Sequence, residues 1–345
     1  MMDRTMAQPA SPTTVGRRGR AWIEPVLDNL VWLILLVVLA IFSLAIPGFF
    51  QTGIFTNILE QSTFVGVLAV GLSLVIIAGQ MDLSIESTMA LAAMITALLF
   101  GTAGAGLGWT LDPPWLVVPV TLVGAILIGC VVGLLNAVLV VRFKINAFIV
   151  TLAGFIALRG AVVASSGGRS VFGLPAEIRA VSTSNLFGIP VPGLILIAVF
   201  VVFGFILRKT PFGRHLTMIG GNPQAPFRAG IKVDRLVMIA FVLAGGLAAF
   251  AGWLLAARTA GATANLGFGM LFQTFAAVVI GGVSLKGGVG GLSGVFAGVL
   301  LLAAIQTAIN VMGMPPHYTQ VIQGVLVLVA VLLDTLKTSI RKRYL

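Results

Sequence analysis

At 345 residues, with 59% hydrophobic and only 9% charged, the chain cannot be a soluble domain. Such domains carry about a quarter charged residues, and a chain of this length could not hide so much apolar surface; a mean hydropathy of +1.11 points to a polytopic membrane protein. The net charge of +11 does not indicate nucleic-acid binding, because the basic residues sit in short breaks between apolar spans, the pattern of membrane orientation.

Residues 1–28 read as a disordered cytoplasmic tail. The apolar run 29–50 is too long for a signal-peptide core and lacks a small-x-small cleavage site, so it is taken as the first span. Further spans of about 20 apolar residues follow at 56–79, 84–103, 115–141, 146–164, 191–207, 236–257, 270–283, 289–310 and 318–335. Backbone groups cannot stay unpaired in lipid, so the expected fold is an all-α bundle of about ten transmembrane helices. Residues 29–335 are expected to form the membrane domain and 336–345 a basic cytoplasmic tail. With both termini inside, 17 of the 21 basic residues fall in cytoplasmic segments; Arg159, Arg169, Arg179 and Arg258 are assigned to the outer side.

Among the first polar breaks is AGQMDLSIES, Ala78 to Ser87, which sets Gln80, Asp82 and Glu86 against oily surroundings. An ionised acid facing lipid costs roughly 3 kcal/mol on insertion scales. These side chains must therefore lie at the surface, inside the protein or along a wet passage. Asp82 could cap the third helix at its cytoplasmic start; Glu86, a turn deeper, suggests a pathway or interhelix role. Since the acids cluster toward one surface, a proton relay is the lesser alternative. Asn136, Gln273, Gln306 and Asn310, with Gln61 and Thr151, lie deeper. They suit hydrogen bonds to a neutral polar solute or from helix to helix. Gln80, Asp82, Glu86, Asn136, Gln273, Gln306 and Asn310 are thus the translocation-path candidates.

The break at 165–190 has the Gly, Pro and Ser content of an outer loop with a short helix. The break at 208–235 carries six basic residues and one acid, Asp234, mixed with Phe212, Leu216, Met218, Ile219 and Phe227. That mixture is read as a docking element for a cytoplasmic partner. Near the end of the chain, SLKGGVGGLSGVFAG is rich in glycine but is not a nucleotide loop, for no GxxxxGK[ST] run exists. Its small residues allow close helix approach, and Gly281 and Gly282 would unwind the short eighth helix. VIIAGQMDLS and VVIGGVSLKGG echo each other, consistent with a parallel repeat. One cysteine, Cys130, and two distant histidines, His215 and His317, offer no disulfide and no metal site. With no cofactor site and no catalytic set, the chain does not read as an enzyme. A scramblase-like, channel-like or structural membrane protein fits, and so does a permease powered by a separate ATPase, which would also explain the break at 208–235.

Four ordered blocks carry a family resemblance: AGQMDLSIESTMALAA, GLLNAVLVVRFKINAFIVTLAG with the following LRG, the GGNPQA segment within 208–235, and AAVVIGGVSLKGGVGGLSG. The chain resembles the membrane permease subunit of bacterial ATP-binding-cassette importers for monosaccharides, of the ribose, xylose, arabinose and galactoside type. It departs from the pattern at Glu86, where glycine is usual, at Ala147 in place of proline, and at Gln80 and Met81. The resemblance implies an inner-membrane homodimer with the solute path between copies. It also implies a duplicated-cassette ATPase beneath and a periplasmic sugar-binding protein above. A coupling helix would lie within Gly220 to Gly230, including Gly221, with Asn222 as a cap and Arg228 as a contact. The ATPase would hold the nucleotide. A polyol, a nucleoside or a furanosyl signal remains an alternative cargo, and a proton-coupled secondary carrier an alternative class.

Overall fold

The computed structural model describes residues 29–315 and seven scattered positions from Tyr318 to Leu332. The expected span at 318–335 and both terminal tails lie almost wholly outside the described residues. Elsewhere the expected spans become helices: α1 (Leu30–Ala45), α2 (Thr52–Ile77), α3 (Ile85–Phe100), α4 (Val117–Val141), α5 (Ala147–Ser166), α7 (Val191–Lys209), α10 (Val233–Thr259), α11 (Met270–Ile280) and α12 (Leu292–Val311). Six of these passages are long and apolar enough to cross a membrane, while α1, α3 and α11 are shorter. Between them lie α6 (Ala176–Thr183), α8 (Pro211–Gly221) and α9 (Gln224–Arg228), and four two-residue strands.

α2 and α10 form the centre, with α3 and α4 packed against α10 and α12 against α2. Close approach rests on missing side chains. A Cβ on Gly129 would strike the Gly245 carbonyl, one on Gly133 the Phe241 carbonyl, and one on Gly252 the carbonyl of Met89. These contacts seat α4 and α3 backbone-to-backbone on α10, the use of small residues expected in a membrane bundle. The buried indole of Trp253 donates to Thr121 Oγ1 at 3.0 Å, so the largest core side chain leaves no polar atom stranded. The outward faces of α4, α5 and α7 carry Val131, Leu135, Ile149, Ile156, Val201 and Phe205, a surface suited to lipid tails.

Successive loops alternate between two ends of the bundle. At the strand end, β1 (Val171–Phe172) pairs antiparallel with β4 (Gly261–Ala262), and Ala103 bridges Phe172. The remaining strands, β2 (Asn185–Leu186) and β3 (Ile189–Pro190), close a small hairpin. Here α6 is docked rather than floating: Ile178 is buried and Ser182 Oγ donates to the Leu254 carbonyl. At the opposite, glycine end, three backbones meet. A Cβ on Gly220 would overlap Ile77 and Gly288, Gly287 stacks on Gly79, and the Gly288 amide donates to the Ile77 carbonyl at 3.0 Å. Gly79, Gly287 and Gly288 all have positive φ, conformations that only glycine adopts without strain. The two echoing segments, after α2 and after α11, therefore touch.

The α4–α10 contact is checked with a matched pair on one helix. Gly133→Leu is expected to lower the thermal midpoint in detergent, corresponding to roughly 1–3 kcal/mol of overpacking or more. Gly124→Leu, where nothing lies within 4 Å of the added Cβ, is expected to leave it unchanged.

Candidate functional site

Two membrane passages are incomplete as helices. After α2 the chain turns at Gly79 and climbs through Gln80–Ser84 without helix before α3 begins. The other incomplete passage, α11, has only 11 residues, about 16 Å of rise, and is reached through the non-helical segment 263–269, TANLGFG. Unwinding thus precedes α11 as well as following it at Gly281 and Gly282.

The two broken passages are joined by charge. Arg159 Nη2 donates to Glu86 Oε1 at 2.7 Å. Glu86 Oε2 accepts from the amide of Leu271 at 2.9 Å. Through Nη1, Arg159 donates to the carbonyls of Ala264 and Leu266, both at 3.1 Å. The Glu86 side chain is only 1% exposed and that of Arg159 16%. Each element has a local reason to be there. Glu86 lies in the first turn of α3 and faces the first turn of α11, two helix N-termini whose dipoles favour a carboxylate. Arg159 supplies the donors that the open carbonyls of 263–269 lack.

This cluster sits deep in the bundle, and two expectations change. Arg159 is the thirteenth of the 20 residues of α5, about 10 Å short of its strand end. It belongs to the bundle interior rather than to the outer side, because Glu86 and two carbonyls partner its two Nη atoms there, although its buried Nε has no partner among the described residues. Nor do the acids gather at one surface: Gly252, level with Met89, lies seven residues before the end of α10, and Glu86 is one turn deeper still. The gap arises because Gln80–Leu83 is not helical, and a non-helical chain can gain up to about 3.3 Å per residue where a helix gains about 1.5 Å.

Below it, toward the glycine end, Asp82 is buried. Its Oδ1 accepts from the amide of Ser84 at 2.9 Å and from Ser84 Oγ at 2.6 Å. Ser84 Oγ in turn accepts from Asn136 Nδ2 of α4 at 2.8 Å, and Ser87 Oγ donates to the Phe155 carbonyl. The buried polar groups thus form two adjacent sets, Asp82–Ser84–Asn136 binding the start of α3 to α4 and Glu86–Arg159 binding α3 to α5 and α11.

The other path candidates lie elsewhere. Gln273 and Gln306 line a cleft between α2, α11 and α12 with Gln61, Ser62 and apolar neighbours such as Val65 and Leu302. Gln61 Nε2 donates to Asn57 Oδ1 on its own helix, and Gln306 Nε2 donates to Asn310 Oδ1. Asn310 is exposed beside the cleft. Gln80 faces a depression at the glycine end with Lys144, Asp234 and Lys286.

Within 208–235, α8 is amphipathic, burying Leu216 and Ile219, and Gly220 enters the glycine contact. Asn222 Oδ1 accepts from the amide of Gln224 at 3.0 Å, turning the chain into α9. There Pro226 is buried, whereas Phe227 and Arg228 project into the open. Gly221 is exposed, and Gly230 has a φ of 76° at the end of α9. Sequence reasoning missed the Glu86–Arg159 pair and a second one, Arg258 Nε to Glu60 Oε1 at 2.8 Å, half exposed at the strand end and so worth little. An arginine within an apolar span was the available signal for the first. Among the described residues no cluster of His, Cys, Asp or Glu could hold a metal ion.

Discontinuous helices inside a helical membrane bundle, with polar side chains gathered where they break, define a solute-transport protein. Residues 54–331 match the family described as branched-chain amino acid transport system / permease component. The chain belongs to that permease family and is a membrane-embedded transport component, not an enzyme. It is 34% identical over 342 residues to the L-arabinose ABC transporter permease protein of Azospirillum brasilense, covering 99% of this chain and 97% of that one. The ribose import permease of Haemophilus influenzae is 34% identical over 87% of this chain and 90% of its own. That of Bacillus subtilis is 35% identical over 88% and 92%. No solved structure matches the chain.

The buried pair is tested by a double-mutant cycle. Glu86→Gln and Arg159→Gln each leave one unpaired charge and are expected to destabilise by about 3–5 kcal/mol. The double variant, with no orphaned charge, is expected to lose less than the sum, read as thermal midpoints in detergent.

Proposed function

We propose that this chain forms the translocation path of an ATP-binding-cassette importer for a monosaccharide or similar small polar solute. The observation that carries this reading is identity at 34% across nearly the whole chain to a permease named for L-arabinose, together with similar values for ribose permeases. The bundle would have ten spans in the bacterial inner membrane, with the glycine end and both chain termini cytoplasmic. With Arg159 inside a span, that orientation puts 17 basic residues inside against three outside. Two copies would form the path, served by a duplicated-cassette ATPase and a periplasmic sugar-binding protein.

In this reading α9 and the exposed end of α8 are the handle for the ATPase. Phe227 supplies an apolar anchor and Arg228 a charge, while Asn222 fixes the angle at which α9 leaves α8. Motion of α8 would reach the spans through Gly220, whose backbone touches both the end of α2 and the loop leading to α12. Those two helices carry Gln61 and Gln306. A shift between them would therefore open or close the cleft that also holds Gln273, which is alternating access expressed at one joint. The Asp82–Ser84–Asn136 bonds and the Glu86–Arg159 pair would hold the scaffold steady. Both oxygens of Glu86 are engaged, which favours this role over proton relay.

Replacing Asn222 and Arg228 together by alanine is expected to leave the permease inserted and folded but to uncouple uptake from ATP hydrolysis in proteoliposomes. Normal uptake and normal co-purification with the ATPase would remove the handle from this segment. Binding of a panel of pentoses, hexoses and sugar alcohols to the partner binding protein identifies the cargo; no binding by any member would overturn the sugar assignment.

A further inference from the structure

The segment 263–269 poses a problem that the scaffold does not solve. It descends from β4 at the strand end to the level of Met89, whose terminal methyl occupies the place a Cβ on Gly267 would take. Met89 is itself level with Gly252, about 10 Å inside the end of α10. Non-helical backbone at membrane depth is tolerated only where protein covers it or water reaches it. Arg159 and Glu86 cover one side. On the other side Asn265 is exposed, and Phe268 and Phe272 are 68% and 61% exposed. An uncovered amide and open backbone do not suit hydrocarbon.

The geometry points to residues 263–269 and Phe272 as a lining of the solute passage, a conclusion that rests on the importer reading above. Phe268 and Phe272, four residues apart, form an apolar platform for the C–H face of a sugar ring, and Asn265 offers donor and acceptor to its hydroxyls. A few placed polar groups on an aromatic floor are the general make-up of a small-molecule site. The segment is also held rigidly enough to read a solute. Arg159 takes the Ala264 and Leu266 carbonyls, Glu86 takes the Leu271 amide, and the Phe268 and Met270 amides close turns onto Asn265 and Gly267. Glu86 and Arg159 are thus positioning residues for this lining, and Gln273, two residues past Leu271, continues it into the cleft.

The single cysteine, Cys130, makes a direct test available. In a Cys130→Ala background, single cysteines are placed at Asn265 and Phe268, at buried Leu266, and at Val131 on the exposed face of α4. Each variant is reconstituted with its ATPase in proteoliposomes and treated with a charged, membrane-impermeant methanethiosulfonate reagent. N265C and F268C are expected to react about tenfold or more faster than V131C and L266C, since only a water-reached thiol forms the thiolate that attacks. Their modification is expected to stop ATP-driven uptake of the sugar identified by the panel. Rates equal to that of V131C would place the segment against lipid. Low rates that persist after any disulfide-linked dimers are reduced would place it in a dry contact with the second copy, and either result overturns the proposal. Phe268→Ala should raise KM for uptake several-fold with ATPase activity retained, and Phe268→Tyr should restore it. Absence of ATP-driven uptake in the Cys130→Ala parent would instead count against the importer reading, and the labelling pattern would still be read independently of it.

Discussion

Backbone amides and carbonyls inside a membrane must find partners, and this bundle breaks two of its helices where water is scarce. The Glu86–Arg159 pair answers that constraint. One carboxylate takes an arginine and a helix-terminal amide; one guanidinium takes that carboxylate and two loop carbonyls. The interaction spans α3, α5 and α11 together with the segment feeding α11. A neutral pair could not serve as well, because hydrogen bonds to charged groups are shorter and stronger. A lone charge could not stay, because its desolvation would exceed any gain. The pair therefore allows the chain to interrupt helices in the interior while remaining a stable bundle.

The second device is glycine. At Gly129, Gly133, Gly245 and Gly252 it lets helices touch by their backbones, and at Gly79, Gly220, Gly287 and Gly288 it lets two loops and the end of α8 do so. The two uses differ in consequence. Backbone contact along whole helices makes α3, α4 and α10 one rigid block. Contact at a single point joins the end of α8 to the end of α2 and the loop leading to α12, where the proposed handle would pull. A transporter needs both behaviours, a frame that does not yield and a joint that does.

Much of this architecture was legible in the amino-acid order. The spans at 115–141, 146–164 and 191–207 became α4, α5 and α7 with ends within two residues, because long apolar runs bounded by charge allow few alternatives. The short eighth span appeared as α11, and the break at 208–235 contains α8 and α9. The polar residues were harder to place. Asp82, Glu86 and Asn136 shared one rank with Gln273 and Gln306 on the basis of burial in apolar sequence, yet Asp82 and Asn136 meet at Ser84, Glu86 pairs with Arg159, and the two glutamines line a cleft. Type and depth along the chain do not say which way a side chain faces. Arg159 was assigned to the outer side although it lies within the span drawn at 146–164, because an arginine ordinarily marks a membrane surface.

By itself, the sequence determined that the chain is a multi-span helical membrane protein, which family it belongs to, and which residues are too polar to meet lipid; hydrophobic run length and ordered motifs are local properties. Only the tertiary structure decided that Glu86 meets Arg159 across 73 residues, that TANLGFG lies open inside the bundle, and that Gly79, Gly220 and Gly288 share one point. Those facts depend on how far each passage climbs before its helix begins. An extended residue gains about twice the height of a helical one, so a break of five residues shifts every later side chain to a level that composition cannot reveal.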